Sequence, residues 1–433
     1  MSRVVCLLAL LAIAACALVP NQSIRPEDWN QQGVSFLEAR QYDEAIGAFS
    51  AALELNPQYS EAYRSRGLAW AGKGDLDKAI SDYTEALAIN PRDEQAYKNR
   101  GLAWARKGDL DKAISDYSKA LELNPKEGQV YYYRAAAQAE KGDLERGFAD
   151  GEKALSLEPN NRTYEGLVAS LQAKIANRGE ERFQRGVSLM NSGRYNEAIK
   201  AFSEAIELKP GYAQAYLNRG LAWSGKGDLD KAISDYTQAL EINPRDGQAY
   251  RSRGLAYRKK GRIDQAITDF TEALKLNPKD SQAYRNRAVA WTEKGEFDRA
   301  IADYSDALEL NPRDARAYTN RGFAWLKKED LDLAISDFTK AIEINPRTAQ
   351  AYNNRGIAWA QKGDLDQAIS DFTMALEISP GYAQAYSNRG VTWAEKGELE
   401  SGLADAKKAL SLEPKNKSYQ SIVAFLEEQI SSQ

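Results

Sequence analysis

The sequence predicts an all-α solenoid, and three observations carry that prediction. A unit of 34 residues recurs along the chain. Each unit holds two apolar-periodic runs broken by turn residues. One unit cannot bury its own apolar face, so units must stack. The reference copy is Ser60 to Asp93, SEAYRSRGLAWAGKGDLDKAISDYTEALAINPRD. Taking Gly67 as its anchor, Tyr63 lies four residues before it, and Trp70, Ala79, Tyr83, Ala86 and Pro91 lie three, twelve, sixteen, nineteen and twenty-four after it. Tyr97, Gly101, Trp104, Ala113, Tyr117, Ala120 and Pro125 repeat those offsets. Further anchors fall at Gly220, Gly254, Ala288, Gly322, Gly356 and Gly390, with edited copies at Gly33, Ala135 and Gly186, eleven repeats in all.

Local rules place the helices. The first run of the reference copy ends at Gly72-Lys73-Gly74. Asp75 then caps the second run, which stops at Asn90-Pro91 because the residue before proline is pushed out of the helical region. Small residues at Gly67, Ala79 and Ala86 let the helices approach, and the aromatics fill the gaps between them. This pattern of small, aromatic and proline offsets resembles the tetratricopeptide repeat family. The resemblance implies a right-handed superhelical solenoid of helix-turn-helix repeats whose first helices face a concave groove.

The chain opens with MSRVVCLLALLAIAACALV, in which Arg3 precedes sixteen apolar residues from Val4 to Val19. That fits a secretory leader and is short of the about twenty residues of a membrane span. Ile13-Ala14-Ala15-Cys16 resembles the lipobox of bacterial lipoproteins. It implies a signal peptide over 1–15, cleavage before Cys16, and acylation of the Cys16 thiol and new amino terminus. Ala15-Cys16-Ala17 also fits ordinary signal peptidase, so a secreted or periplasmic soluble protein stands as the alternative. Ala17 after the cysteine resembles an outer-membrane sorting signal more than an inner-membrane one. The expected location is therefore the bacterial cell envelope, lipid-anchored and facing the periplasm. Residues 16–25 form a polar spacer, and Pro26 opens the first repeat.

Four repeats run over 26–161. The fourth is edited, with Ala135, Gln138, Gly147 and Gly151, and a lone helix follows with Tyr164, Leu167, Leu171 and Ile175 on one side. The repeat anchored at Gly390 is edited alike, with Gly402 and Ala406. After it, Tyr419, Ile422, Leu426 and Ile430 repeat the same spacings. The starts also match, GVSFLEARQYDEAIGAFSAALEL from Gly33 against GVSLMNSGRYNEAIKAFSEAIEL from Gly186. The organisation expected is a first array over 26–178, of four repeats and a capping helix, and a second over 179–433, of seven repeats and a capping helix. Asn177-Arg178-Gly179 reads either as a hinge or as part of one long helix, since a mid-helix glycine costs only about 1 kcal/mol.

Composition removes most chemistry. There is no histidine, hence no imidazole base or ligand. Cys6 lies in the leader and Cys16 at its cleavage point, so the arrays, which have no cysteine, hold no disulfide or thiolate metal site. No Walker loop or nucleophile elbow occurs, and the GKGD turns fall between the two helices of a repeat, where they act as turn and cap. The tryptophans (Trp29, Trp70, Trp104, Trp223, Trp291, Trp325, Trp359 and Trp393) occupy repeat positions and read as core. The protein is expected to be no enzyme and to need no cofactor. A net charge of −4 with mixed signs argues against nucleic acid and against membrane contact beyond the anchor.

Arginine precedes the anchor in ten copies and aspartate follows it by fifteen residues in nine, while the first copy has Gln32 and Ala48 instead. Pairing within a repeat leaves only Arg185 without a partner, so structural intra-repeat ion pairs are expected. Two residues before the anchor stand Asn99, Asn218, Asn286, Asn320, Asn354 and Asn388. The family resemblance implies an asparagine ladder that hydrogen-bonds the backbone of an extended peptide, while the alternative is bonding within each asparagine's own helix. Nearby stand Arg64, Lys98, Arg251, Arg258 and Arg285. The run Arg251 to Arg262, RSRGLAYRKKGR, is the most basic point of the chain, and reads either as a docking patch for acidic segments or as solvated charge. Two functions stay open: a scaffold or adaptor that binds extended segments of partner proteins in the groove, and a self-assembling structural protein.

Overall fold

The computed structural model describes residues 25–432. Among these, 23 α-helices run from Pro26–Glu38 to Lys417–Ser431, with no strand. Each repeat is a pair such as Ser60–Lys73 and Leu76–Ile89. Gly74 turns the chain between them at φ +93°, a left-handed conformation that glycine adopts without penalty. The Asp75 carboxylate accepts the Lys78 N–H at 3.3 Å and caps the second helix, and Asn90 leaves it in an extended conformation.

Backbone contacts divide the chain into two compact units, Met1–Arg178 and Gly179–Gln433. Arg162–Asn191 is a single helix of 30 residues. It joins the first array's cap to the first helix of the repeat anchored at Gly186, and Asn177 to Gly179 lie inside it. Of the two readings of this segment, the one long helix is the one observed: a glycine there costs the helix less than the continuous backbone hydrogen bonds supply.

Within each unit, a first helix packs on its own second helix, which packs on the next first helix. Successive first helices, from Pro26–Glu38 to Gly128–Lys141 and from Ala213–Lys226 onward, also touch, whereas among the described residues successive second helices do not. The stack is tighter on the first-helix side, so that side is the concave one. The core repeats with the chain. Tyr83 is buried against its anchor, and a Cβ on Gly67 would stand 2.6 Å from its ring.

The last repeat of each array departs from this for a packing reason. Gly151 and Ala406 stand where other repeats have the aromatic ring, so the two helices close up: a Cβ on Gly147 would lie 2.9 Å from the Ala135 carbonyl oxygen, and one on Gly402 2.7 Å from that of Gly390. The cap fills the vacated space. Val168 lies 3.1 Å from a Cβ built on Gly151, and Val423 and Leu426 pack with Ala406.

Candidate functional site

One arginine organises each repeat. Arg100 Nε and Nη2 each donate to Asp116 at 2.8 Å, and eight further pairs, Arg66–Asp82 through Arg389–Asp405, share this fork. All nine aspartates are buried. Pairing is within the repeat, as the partner count predicts, and Arg185 is exposed. The hydrogen bonds to Asp116 hold the Arg100 guanidinium above its ordinary value, although burial opposes them. The Tyr97 ring lies beneath, 5.6 Å from Arg100 Cζ.

A further link was not read from the sequence. Arg100 Nη1 donates to the Thr84 hydroxyl of the preceding repeat at 3.2 Å, and Thr84 donates in turn to the Ile80 carbonyl at 2.7 Å. The same bridge recurs from Arg66–Ser50 to Arg389–Thr373. Its signal is a serine or threonine seventeen residues after the anchor, replaced by Glu152 and Lys407 in the two end repeats.

The basic candidates prove to be joints between repeats. Arg64 pairs with Asp93 at 3.1 Å, Lys98 with Glu127 at 3.4 Å, Arg251 with Asp280 at 2.6 Å, and Arg285 with Asp314. In each case the acid is the N-cap residue of the next first helix. Arg258 pairs with Glu293 at 2.6 Å. Within the basic run, Arg253 belongs to the Asp269 fork and Lys260 pairs with Asp230. Arg64, Lys98, Arg251, Arg258 and Arg285 are thus each paired with an acid of the next repeat, while within the basic run Lys259 and Arg262 have no ion-pair partner among the described residues.

The asparagines divide. Asn99 and Asn286 are half-buried and make no side-chain hydrogen bond among the described residues. Asn218 Nδ2 donates to the Gln214 carbonyl of its own helix at 2.8 Å, which is the local reading. Asn320 lies beside the Tyr304 phenol of the preceding repeat. Asn388 Nδ2 donates to Asn353 Oδ1 at 3.0 Å, and Asn353 Nδ2 donates to Asn354 Oδ1 at 3.3 Å, an amide chain between repeats. One turn along the same helix faces lie Leu221, Leu255, Val289 and Phe323, half-buried, with Leu68 and Val391 exposed.

All eight tryptophans are half-buried, and Trp29, Trp70, Trp104, Trp223, Trp291 and Trp325 pack against the core clusters. Lys78, Lys112 and Lys231 lie 4.2, 4.2 and 4.3 Å from the ring centroids of Trp70, Trp104 and Trp223, so cations occupy faces that a stacking ligand would need. Among the described residues no cluster of acidic, cysteine or histidine side chains could hold a metal, and no helix is long and apolar enough to cross a membrane. Cys16 lies outside the described residues.

Two models described as "Tetratricopeptide repeat" match the chain, one over 30–94, 183–247 and 251–315, the other over 94–127, 315–347 and 349–382, together more than half of it. No curated protein matches. Among solved structures, a tetratricopeptide repeat protein from Parabacteroides merdae is 21% identical, covering 58% of this chain and 99% of its own at a TM-score of 0.47. Pseudomonas aeruginosa pilF is 17% identical over 49% of this chain and 96% of its own, with a TM-score of 0.44. YrrB, whose structure is described as having an unusual peptide-binding site, is 26% identical over 43% of this chain and 96% of its own, with a TM-score of 0.37.

Proposed function

Since the chain belongs to the tetratricopeptide repeat family, whose members are in general protein-interaction scaffolds, we propose that it is a non-enzymatic adaptor that binds extended segments of partner proteins along its concave first-helix face. The observation that carries this is the half-buried amides of Asn99 and Asn286, which meet no protein partner among the described residues beside a stripe of apolar side chains. An amide donates and accepts at once, and so suits a peptide backbone, while the apolar neighbours suit its side chains. The Cys16 reading extends the proposal: the adaptor is held by a lipid at a bacterial envelope membrane, the outer one preferred, and faces the periplasm.

Site-specific photo-crosslinking tests it. Benzoylphenylalanine at Phe323, on the concave face, is expected to give discrete adducts with other proteins in a bacterial host, whereas the same group at Lys340, on a second helix, gives none. Adducts between copies of the chain would favour self-assembly instead. Intact mass checks the anchor: residues 16–433 plus acyl chains, lost in Cys16→Ser, are expected, and an unmodified mass beginning at Met1 contradicts it.

A further inference from the structure

We propose that the groove of the second array ends in a pocket for one bulky apolar side chain of the bound segment, with a basic residue next to it. This rests on the adaptor reading and names the chemistry of its partner. A cleft of about 350 Å³ opens between the last repeat and the cap, lined by Val391, Ala394, Leu399, Ile422, Phe425 and Leu426 together with the polar Glu395 and Gln429. Phe425 is 57% exposed, more than any other large apolar side chain among the described residues, and Val391 is exposed as well. Val391 follows Asn388 by three residues on one helix, so both lie on the same face and the cleft continues the asparagine row.

Capping alone does not require this cleft. The first array ends with the same framework but has Ala136 in place of Val391 and Ser170 in place of Phe425. The approach to the cleft is also unlike the rest of the groove. Where Arg64, Lys98, Arg251 and Arg285 pair with acidic caps, the last three repeats carry Thr319, Asn353 and Ser387, all buried, and the following caps are Thr348, Tyr382 and Asn416. The floor there is uncharged. Asn388 has given one N–H to Asn353, and its oxygen accepts no bond among the described residues, so it is left to a peptide N–H. The one charge in the lining is the Glu395 carboxylate, which is exposed and has no ion-pair partner among the described residues. A largely apolar wall with one neutral amide, Gln429, and a single unpaired carboxylate selects a bulky apolar residue next to lysine or arginine, and repels an acidic segment.

The test is to pan a random dodecapeptide display library on the full chain and titrate the selected peptides against variants. Selected peptides are expected to share a bulky apolar residue beside lysine or arginine. They should lose at least tenfold affinity on Phe425→Ser, keep it on Phe425→Tyr, and weaken about threefold on Glu395→Gln. Phe425 is exposed, so its melting curve is expected to be unchanged. An acidic consensus overturns the proposal. Peptides that bind Phe425→Ser normally but fail on Asn388→Ala overturn the pocket and leave the adaptor standing. No selection at all overturns both. A dimer that Phe425→Ser disperses, read by light scattering, would assign the cleft to a second copy and overturn the proposal.

Discussion

At the end of the first array, Gly147 and Gly151 bring the last two repeat helices together, Val168 of the long helix lies against Gly151, and Tyr164 and Leu171 of the same helix are buried. At the end of the second, Gly402 and Ala406 do the same beneath Tyr419, Val423 and Leu426. Leu171 and Leu426 are each 1% exposed, and the Arg134–Asp150 and Arg389–Asp405 forks both close at 2.6 Å. On the groove side the likeness ends. The first array presents Tyr132 and Tyr133, stacked on Tyr164 and Tyr117 at 5.3 and 6.0 Å, next to Ala136 and Ser170. The second presents Ser387, Asn388, Val391 and Phe425. The two ends share what holds a terminal repeat and differ in what a partner would meet. That separates stability from recognition within one molecule.

The largest expected effect tests the shared part. Arg134→Ala and Arg389→Ala each strand a buried aspartate, which costs about 3–5 kcal/mol. Denaturant unfolding should show similar losses in the two arrays. A loss in only one would mean that the frameworks are not equivalent. Next, Leu171→Ala and Leu426→Ala should each cost about 2–5 kcal/mol, because each removes a fully covered side chain of a capping helix. A marked inequality would show that one end collapses into the cavity better than the other.

The alkaline limb sharpens the comparison further. Burial pushes the Tyr304 phenol up to about 12, and it pushes Tyr83, Tyr117 and Tyr236 up as well. A raised folded value means that the stabilisation is present below about pH 10, the ordinary phenol value, and is lost as the pH rises towards 12, at about 1.4 kcal/mol per unit. Tyr304→Phe, which copies Phe270 and Phe338 of the neighbouring repeats, should leave neutral stability unchanged and flatten that loss in pH-dependent melts. An unchanged alkaline limb would show that other groups cause it. The smallest effect on stability is expected from Ala136→Val with Ser170→Phe, surface changes within about 0.5 kcal/mol, which transplant the second array's apolar lining onto the first. Gain of binding to peptides selected on the second array would sharpen the separation of frame from groove, and no gain would mean that the uncharged floor matters more than the cleft.

What the sequence made legible is what recurs. Helix boundaries, the doubled arrays, the caps and the Arg–Asp forks repeat at one period, so each copy corroborates the others. The neutralised cations were hidden for a geometric reason. Arg64 meets Asp93 across 29 residues, and Asp93 already has an evident role as a helix cap, so its charge looks spent. The Thr84 bridge to Arg100 left a trace, since the hydroxyl vanishes at Glu152 and Lys407, but a small polar residue on a helix suggests nothing by itself. Phe425 occurs once. The cap periodicity from Tyr419 to Ile430 accounts for the buried side of its helix and says nothing of a ring on the other side.

The account's central claim is that the concave asparagine row binds a segment while the framework alone sets stability. Titration of a library-selected peptide against wild type and Asn388→Ala, with melting followed on the same samples, tests it directly. The expected result is at least tenfold weaker binding, about 1.4 kcal/mol, with the melting midpoint moved by no more than a few degrees. Unchanged affinity, or affinity lost only in step with unfolding, would contradict it.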